Sequence, residues 1–358
     1  MKHSRLPAVA AASVDLQHRL EAAFVWLVYH GFRLLPVDAA SALGGFIARA
    51  IGPLLPVSDV ALKNLQAALP GLSHGKIIRD VWRHLGRIAG EFPHARAFLD
   101  DPARMEIVGE HHLWALRDAG EATLLFGGHI GNWELSNILS LRAKLPVNPV
   151  YRAPNNPYLK WLFEDRLRTP DMQLIPKGPV GARQTIKLMT EGKSVVLYVD
   201  QKMNDGISVP FFGRPAMTAP ALASLALKFK RRVVPFRVIR TRGAHFRAEV
   251  LEPFYFFDSG DREADTLAAM VKVNRMIEGW IREYPAQWLW LHRRWPKEGS
   301  GEGKTMQGAR ANSTIGHQRA PTGSSTMSSD RLERCSDIDT GPRRGVGTPR
   351  AIVDCDEN

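Results

Sequence analysis

Residues 127–134 read Gly-Gly-His-Ile-Gly-Asn-Trp-Glu, and this octet is the part of the chain best equipped to do chemistry. Paired glycines let the backbone turn sharply and approach a ligand closely. His129 stands in that turn and Glu134 follows five residues later. On one continuous α-helix, side chains five positions apart diverge by about 140°. The two therefore converge only if His129 precedes a helix whose first turn carries Glu134. An imidazole held in one tautomer by a carboxylate is a neutral general base near pH 7, and the carboxylate stabilises the imidazolium that forms. The proton would come from an acceptor hydroxyl, with no covalent enzyme intermediate required. Taken bare, His-x4-Glu also describes a histidine that merely sits in a capped loop, so both readings stand at this point.

Competing chemistries have little local support. Gly71-Leu72-Ser73-His74-Gly75 has Gly-x-Ser-x-Gly spacing, but it lies within a stretch, 59–99, that reads as helical and not at the end of a strand, so it makes no nucleophile elbow. Residues 191–194 (Glu-Gly-Lys-Ser) end like a phosphate loop, but Lys187 occupies the position where its first glycine belongs. The Glu110-His111-His112 cluster lacks accompanying metal-ligand spacing, so no metal is expected. Cys335 and Cys355 both lie in the last sixty residues, which leaves the rest of the chain without a thiol nucleophile and fits a cytoplasmic setting.

The elements around the octet suggest how it is held. Residues 121–129 form a short apolar run ending in two glycines, read as a buried strand entering a tight turn. Asn132 is expected to cap the helix that follows. Further strands are expected at 149–151, 194–200, 232–240 and 246–254, with helices at 181–190, 219–228 and about 262–284. Strands alternating with helices predict an α/β fold with a mixed, largely parallel sheet flanked by helices. Ligands in such sheets bind beyond the carboxyl ends of the strands, where His129 and Asp200 fall.

Residues 16–35 place Leu16, Leu20, Phe24, Leu27 and Val28 at helical spacing, with Trp26 and Tyr29 as interfacial aromatics. The longest stretch here without Lys, Arg, Asp or Glu is 11 residues, short of the roughly 18 to 20 that span a bilayer. A helix lying in the membrane interface is the preferred reading, beside a soluble core helix and a single span. No cleavable signal is expected. The chain thus divides into an N-terminal membrane-associated helical segment (1–58), an α/β domain (59–298) and a disordered tail (299–358). The tail balances eight basic against eight acidic side chains, so the whole formal charge of +12 falls on residues 1–298 and favours an anionic partner. Lys228, Lys230, Arg231, Arg232, Arg293 and Arg294 are the expected positive surface.

The octet resembles the signature of the lipid A biosynthesis lauroyl/myristoyl acyltransferase family, which is related to glycerolipid acyltransferases carrying His-x4-Asp or His-x4-Glu. The resemblance covers roughly residues 20–296. Lys63-Asn64-Leu65 through Ala68-Leu69-Pro70 is similar to an upstream block, with leucine where phenylalanine is usual. Tyr151-Arg152 with Asn156-Pro157, then residues 199–202 (Val-Asp-Gln-Lys), then 210–216 (Pro-Phe-Phe-Gly-Arg-Pro-Ala), resemble three later blocks, and residues 285–295 resemble the closing one.

What the resemblance implies is acyl transfer from an acyl carrier protein thioester to a hydroxyl of a lipid A precursor. The cytoplasmic face of the cell inner membrane would be its place, with no bound cofactor and no nucleic acid. Carried onto this sequence, His129 is the base and Glu134 its partner. Arg152 would orient an anionic substrate or stabilise the developing oxyanion, Asn132 would bind substrate, and Asp200 and Gln201 would position the acceptor or brace the site. Phe211, Phe212, Gly213 and Arg214 would lie near the acyl chain or head group. The alternatives are the same chemistry on a lysophospholipid, ornithine lipid or glycolipid, and a non-catalytic basic protein that binds membrane or nucleic acid.

Overall fold

A computed structural model describes residues 8–164 and 171–296. The proposed tail, 299–358, lies outside the described residues. In chain order the helices are α1 (Ala8–Arg33), α2 (Val37–Ile51), α3 (Ser58–Ala68), α4 (His74–Glu91), α5 (Ala95–Asp100), α6 (Glu110–Asp118), α7 (Asn137–Ala143), α8 (Trp161–Glu164), α9 (Pro179–Thr190), α10 (Ala221–Phe229) and α11 (Arg262–Glu283). The strands are β1 (Met105–Val108), β2 (Leu124–Gly127), β3 (Val147–Tyr151), β4 (Ile175–Pro176), β5 (Ser194–Tyr198), β6 (Lys202–Phe211), β7 (Arg214–Thr218), β8 (Val233–Arg242) and β9 (His245–Val250).

Among the described residues, seven strands form one sheet in the order β1-β9-β8-β2-β5-β3-β4. All its pairings are parallel except β8 with β9. The expected mixed, largely parallel α/β sheet with flanking helices is what the chain forms. The central strands are buried on both faces, as continuous apolar runs require. On β2 and β5, Leu124, Phe126, Val195 and Leu197 pack under α10 and α11, while Leu125 and Val196 join the opposite layer with Ile138 and Leu139 of α7. β6 and β7 make a separate antiparallel hairpin.

The first two helices are laid against this sheet through α4. Gly44 of α2 and Gly86 of α4 meet so closely that a Cβ on Gly44 would stand 2.3 Å from the Gly86 carbonyl oxygen. Helix backbones approach this far only through small residues. α1 and α2 belong to the same compact unit as the sheet. Leu16, Leu20, Phe24 and Leu27 nevertheless remain exposed along one face of α1, and Phe46, Ile51 and Leu54 are exposed on and just after α2. No single described helix is long and apolar enough to cross a membrane, although Val37–Leu54 and Ser58–Ala68, bent by 85°, together have that length and composition.

Two local expectations fail. Asn132 caps nothing: its side chain makes no capping hydrogen bond, and only a single 3-10 turn (Trp133–Leu135) follows before α7 begins at Asn137. Arg294 supplies no positive surface, being fully buried, with its guanidinium donating to the Met217 carbonyl and the Thr218 hydroxyl. Burial pushes its pKa down to about 10. The aromatic strip at the end of the domain is likewise inside, with Trp288, Trp290 and Trp295 all buried.

Candidate active site

The strand register brings the site together. β2 and β5 are parallel neighbours with Gly127 opposite Tyr198. Two residues past each of these partners come His129 and Asp200, so the side chains that leave the two strands meet. Nδ1 of His129 lies 2.7 Å from Oδ1 of Asp200, and the His129 backbone N–H donates to Oδ2 at 2.6 Å. The Trp288 indole N–H donates to the same Oδ2 at 2.7 Å. The side chain of Asp200 is 1% exposed and that of His129 is 17% exposed. Burial alone would push the Asp200 carboxyl up. The charge of the facing imidazole and the hydrogen bonds from His129 and Trp288 outweigh it and hold the pKa at about 2. A carboxylate charged at every working pH therefore keeps the proton on Nδ1 and leaves Nε2 as the basic nitrogen.

This is a correction to the expected His129–Glu134 pair. Glu134 sits in the 3-10 turn after the loop, where it accepts a hydrogen bond from the Trp133 indole at 3.1 Å and lines the cavity in front of the imidazole. Nδ1 is already occupied by Asp200. With no α-helical turn to carry the carboxylate back toward the ring, the two residues face the cavity side by side.

The glycine-rich loop is fixed through the backbone groups of His129, Gly131 and Asn132. The His129 carbonyl accepts from the Leu289 N–H at 3.0 Å, the Gly131 N–H donates to the Gln287 carbonyl at 2.9 Å, and the Asn132 N–H donates to the Val238 carbonyl at 2.9 Å. Gly131 is needed as glycine: its φ is +61°, and a Cβ there would lie 1.8 Å from the Val238 carbonyl oxygen. Its own carbonyl accepts from Nε2 of His84 at 3.0 Å, and Nδ1 of His84 accepts from Arg240 Nε at 3.3 Å. Burial, reinforced by the Arg240 charge, pushes the His84 pKa down to about 3, so this imidazole is neutral with its proton on Nε2.

Asn132 is turned the same way. Its amide donates to Oε2 of Glu91 at 2.8 Å. Glu91 is fully buried and also receives the Ser41 hydroxyl at 2.7 Å and both terminal nitrogens of Arg240. Asn132 is thus part of the loop's foundation and does not line the cavity in front of the imidazole, contrary to its expected place among the substrate-binding residues. Glu91, His84 and Arg240 escaped sequence reading, because α4 carries Glu91 and His84 as polar positions within an ordinary amphipathic helix and β8 delivers Arg240 from 149 residues away. The one available signal was an acidic residue at the apolar face's end, flanked by Gly90 and Phe92.

In front of Nε2 opens a cavity of about 930 Å³ between α9, α10 and the carboxyl ends of β3 and β5. Met172, Leu174, Ile186, Val196 and Leu225 give it apolar walls, and Arg152, Lys177, Lys202 and His292 stand around it. Of the expected substrate-binding residues, Arg152 and Gln201 line it. Asp200 lies behind the imidazole. Phe211, Phe212, Gly213 and Arg214 do not line it. They form the β6–β7 hairpin and its turn, where Phe211 is fully buried against Trp288 and Trp295 and the Phe212 N–H donates to Glu278 at 2.8 Å. Their sequence block marks a tight turn, with Phe212 and Gly213 both at positive φ.

A family model described as bacterial lipid A biosynthesis acyltransferase matches residues 12–297. A lipid A biosynthesis lauroyltransferase from Escherichia coli (strain K12) is 30% identical over 202 residues, covering 55% of this chain and 63% of that protein. A lipid A biosynthesis palmitoleoyltransferase from the same organism is 24% identical over 291 residues, 77% of this chain and 93% of that protein. A phosphatidylinositol mannoside acyltransferase from Mycolicibacterium smegmatis is 23% identical over 268 residues, 73% of this chain and 81% of that protein. Among solved structures, the 1-acyl-sn-glycerophosphate acyltransferase PlsC from Thermotoga maritima aligns at a TM-score of 0.32 and 13% identity, covering 67% of this chain and 99% of that one.

Proposed function

From the premise that the chain belongs to the bacterial lipid A biosynthesis acyltransferase family, and is an acyltransferase acting on a lipid acceptor, we propose that it moves an acyl chain from an acyl carrier protein thioester to a hydroxyl of a lipid A precursor. The observation that carries the mechanism is the His129–Asp200 pair, with Nδ1 on the carboxylate and Nε2 facing a large, partly apolar cavity. The acceptor O–H gives its proton to Nε2 as its oxygen bonds to the thioester carbonyl carbon. Asp200 stabilises the imidazolium. The tetrahedral adduct then expels the carrier thiolate, which takes the proton back from Nε2. Atoms and charge balance without a bound cofactor or metal.

The exposed apolar faces of α1 and α2 support a seat on the membrane, with the cavity drawing its acceptor from the lipid layer. We place the protein at the cytoplasmic face of the inner membrane, where acyl carrier protein is found together with lipid acceptor. Vesicle flotation checks this seat: Leu20→Glu with Phe24→Glu should abolish flotation while the His129–Asp200 pair stays intact.

A second reading is the same reaction on another lipid acceptor, and the similarity to a phosphatidylinositol mannoside acyltransferase favours keeping it. Purified protein supplied with lauroyl-acyl carrier protein and, in parallel, a lipid A precursor, a lysophospholipid and a glycolipid distinguishes the two. Acyl transfer confined to the lipid A precursor supports the first reading, and transfer confined to either of the others replaces it. Loss of all transfer in His129→Ala is expected under both.

A further inference from the structure

The carboxyl edge of the sheet presents a chain of polar side chains in strand order. Lys177 follows β4, Gln201 lies just past β5 and His129 just past β2. The Lys177 ammonium donates to Oε1 of Gln201 at 3.0 Å, and Nε2 of that amide lies 3.3 Å from Nε2 of His129. The direction of each bond is set from the ends. An ammonium has only donors to offer, so the Gln201 oxygen must face Lys177 and its NH2 must face the imidazole. A carboxylate has only acceptors, so Nδ1 carries the proton and Nε2 receives. Lys177 is held in place by its backbone N–H, which donates to the Tyr151 carbonyl at 2.9 Å.

Resting on the acyl-transfer reading above, we propose that Gln201 is the oxyanion donor of the reaction and that Lys177 is the positioning residue that aims it. One Gln201 N–H meets Nε2. The acceptor hydroxyl takes that place when it binds, which frees the amide N–H within reach of the atoms bonded to the attacking oxygen. The thioester carbonyl oxygen is the one of these that becomes negative. A donor fixed before the charge develops stabilises it without reorganisation. Lys177 prevents the amide from flipping its oxygen toward that charge and adds a cation behind it. Burial and the neighbouring Arg152 charge lower the Lys177 pKa.

The test is a set of single and paired variants assayed with lauroyl-acyl carrier protein and whichever lipid acceptor supports transfer by the wild type. Gln201→Ala should lower kcat by about 10² to 10³, with the KM for the donor changed by less than about threefold. Gln201→Glu keeps the shape and would bind Lys177 more strongly, yet it turns an anion toward the oxyanion, so its kcat should fall at least as far as that of the alanine variant. Lys177→Met should lower kcat in the wild-type background and add little in the Gln201→Ala background, because it acts through the amide. Near-normal kcat in Gln201→Ala, recovery in Gln201→Glu, or independent multiplication of the two losses would each overturn the assignment. His129→Ala, run alongside, separates the two levels: a dead His129 variant beside an active Gln201→Ala sinks this inference alone, whereas an active His129 variant sinks the acyl-transfer mechanism beneath it.

Discussion

Two carboxylates flank His129, and they work in different surroundings. Asp200 is behind the ring, sealed from water, and takes three hydrogen bonds that hold it ionised. Glu134 stands in front, on the wall of the cavity, beside the Trp133 indole. The dry one can orient an imidazole, because a fixed charge in a low-dielectric site keeps its partner's tautomer without competition from water. The wet one can meet a substrate. Position relative to the ring, and not spacing along the chain, decides which carboxylate does which.

The largest effect that could break this contrast is at Asp200 itself. Asp200→Asn should reduce kcat by about 10² to 10⁴, comparable to removing the base, because the amide no longer enforces the Nδ1–H tautomer; steady-state kinetics with the lipid acceptor measure it. Next in size is the foundation under the loop. Glu91→Gln leaves the Arg240 guanidinium buried without its charge partner and should destabilise the fold by about 3 to 5 kcal/mol, read from urea denaturation.

Glu134→Gln should cost less than Asp200→Asn, about ten- to hundredfold in kcat/KM for the acceptor, in line with losing one charged hydrogen bond to a substrate. The smallest effect sharpens the buried side. The His84 pKa is lowered in the folded protein, so the unfolded chain binds a proton that the folded one refuses as pH drops through about 6.5. Its share of stability is therefore complete above that value and is lost progressively toward about 3, amounting to roughly 2 kcal/mol by pH 5. His84→Gln should remove this slope between pH 7.5 and 5. Asp200, with its folded pKa also held low, contributes in the same sense at lower pH: its stabilisation is present above about pH 4 and lost as pH falls through about 2.

Much of the frame was legible from local pattern. The apolar run before Gly127, the run at 194–200, and the helices around 181–190 and 262–284 obey short-range rules that a single chain segment satisfies by itself. The functional loop was legible too, since glycines around a histidine announce a sharp turn. The partner of that histidine was not. It depends on β2 lying beside β5 in one register, a relation between segments 71 residues apart that periodicity does not report. Placing both His129 and Asp200 at strand ends came close. What was missing was the adjacency of those two strands.

The same limit explains Glu91, His84 and Arg240, whose meaning exists only once α4 is laid on the loop. It also explains Phe211 and Arg294, which share a cluster sealed inside the domain and look on paper like exposed binding residues.

Nitrogen-15 NMR of the labelled His129 ring tests the central claim most directly. The account predicts a protonated Nδ1 in a strong hydrogen bond and a bare Nε2 near neutral pH, a pattern abolished by Asp200→Asn and retained in Glu134→Gln. If Glu134→Gln erases that signal and Asp200→Asn leaves it in place, Glu134 orients the base and the account is wrong.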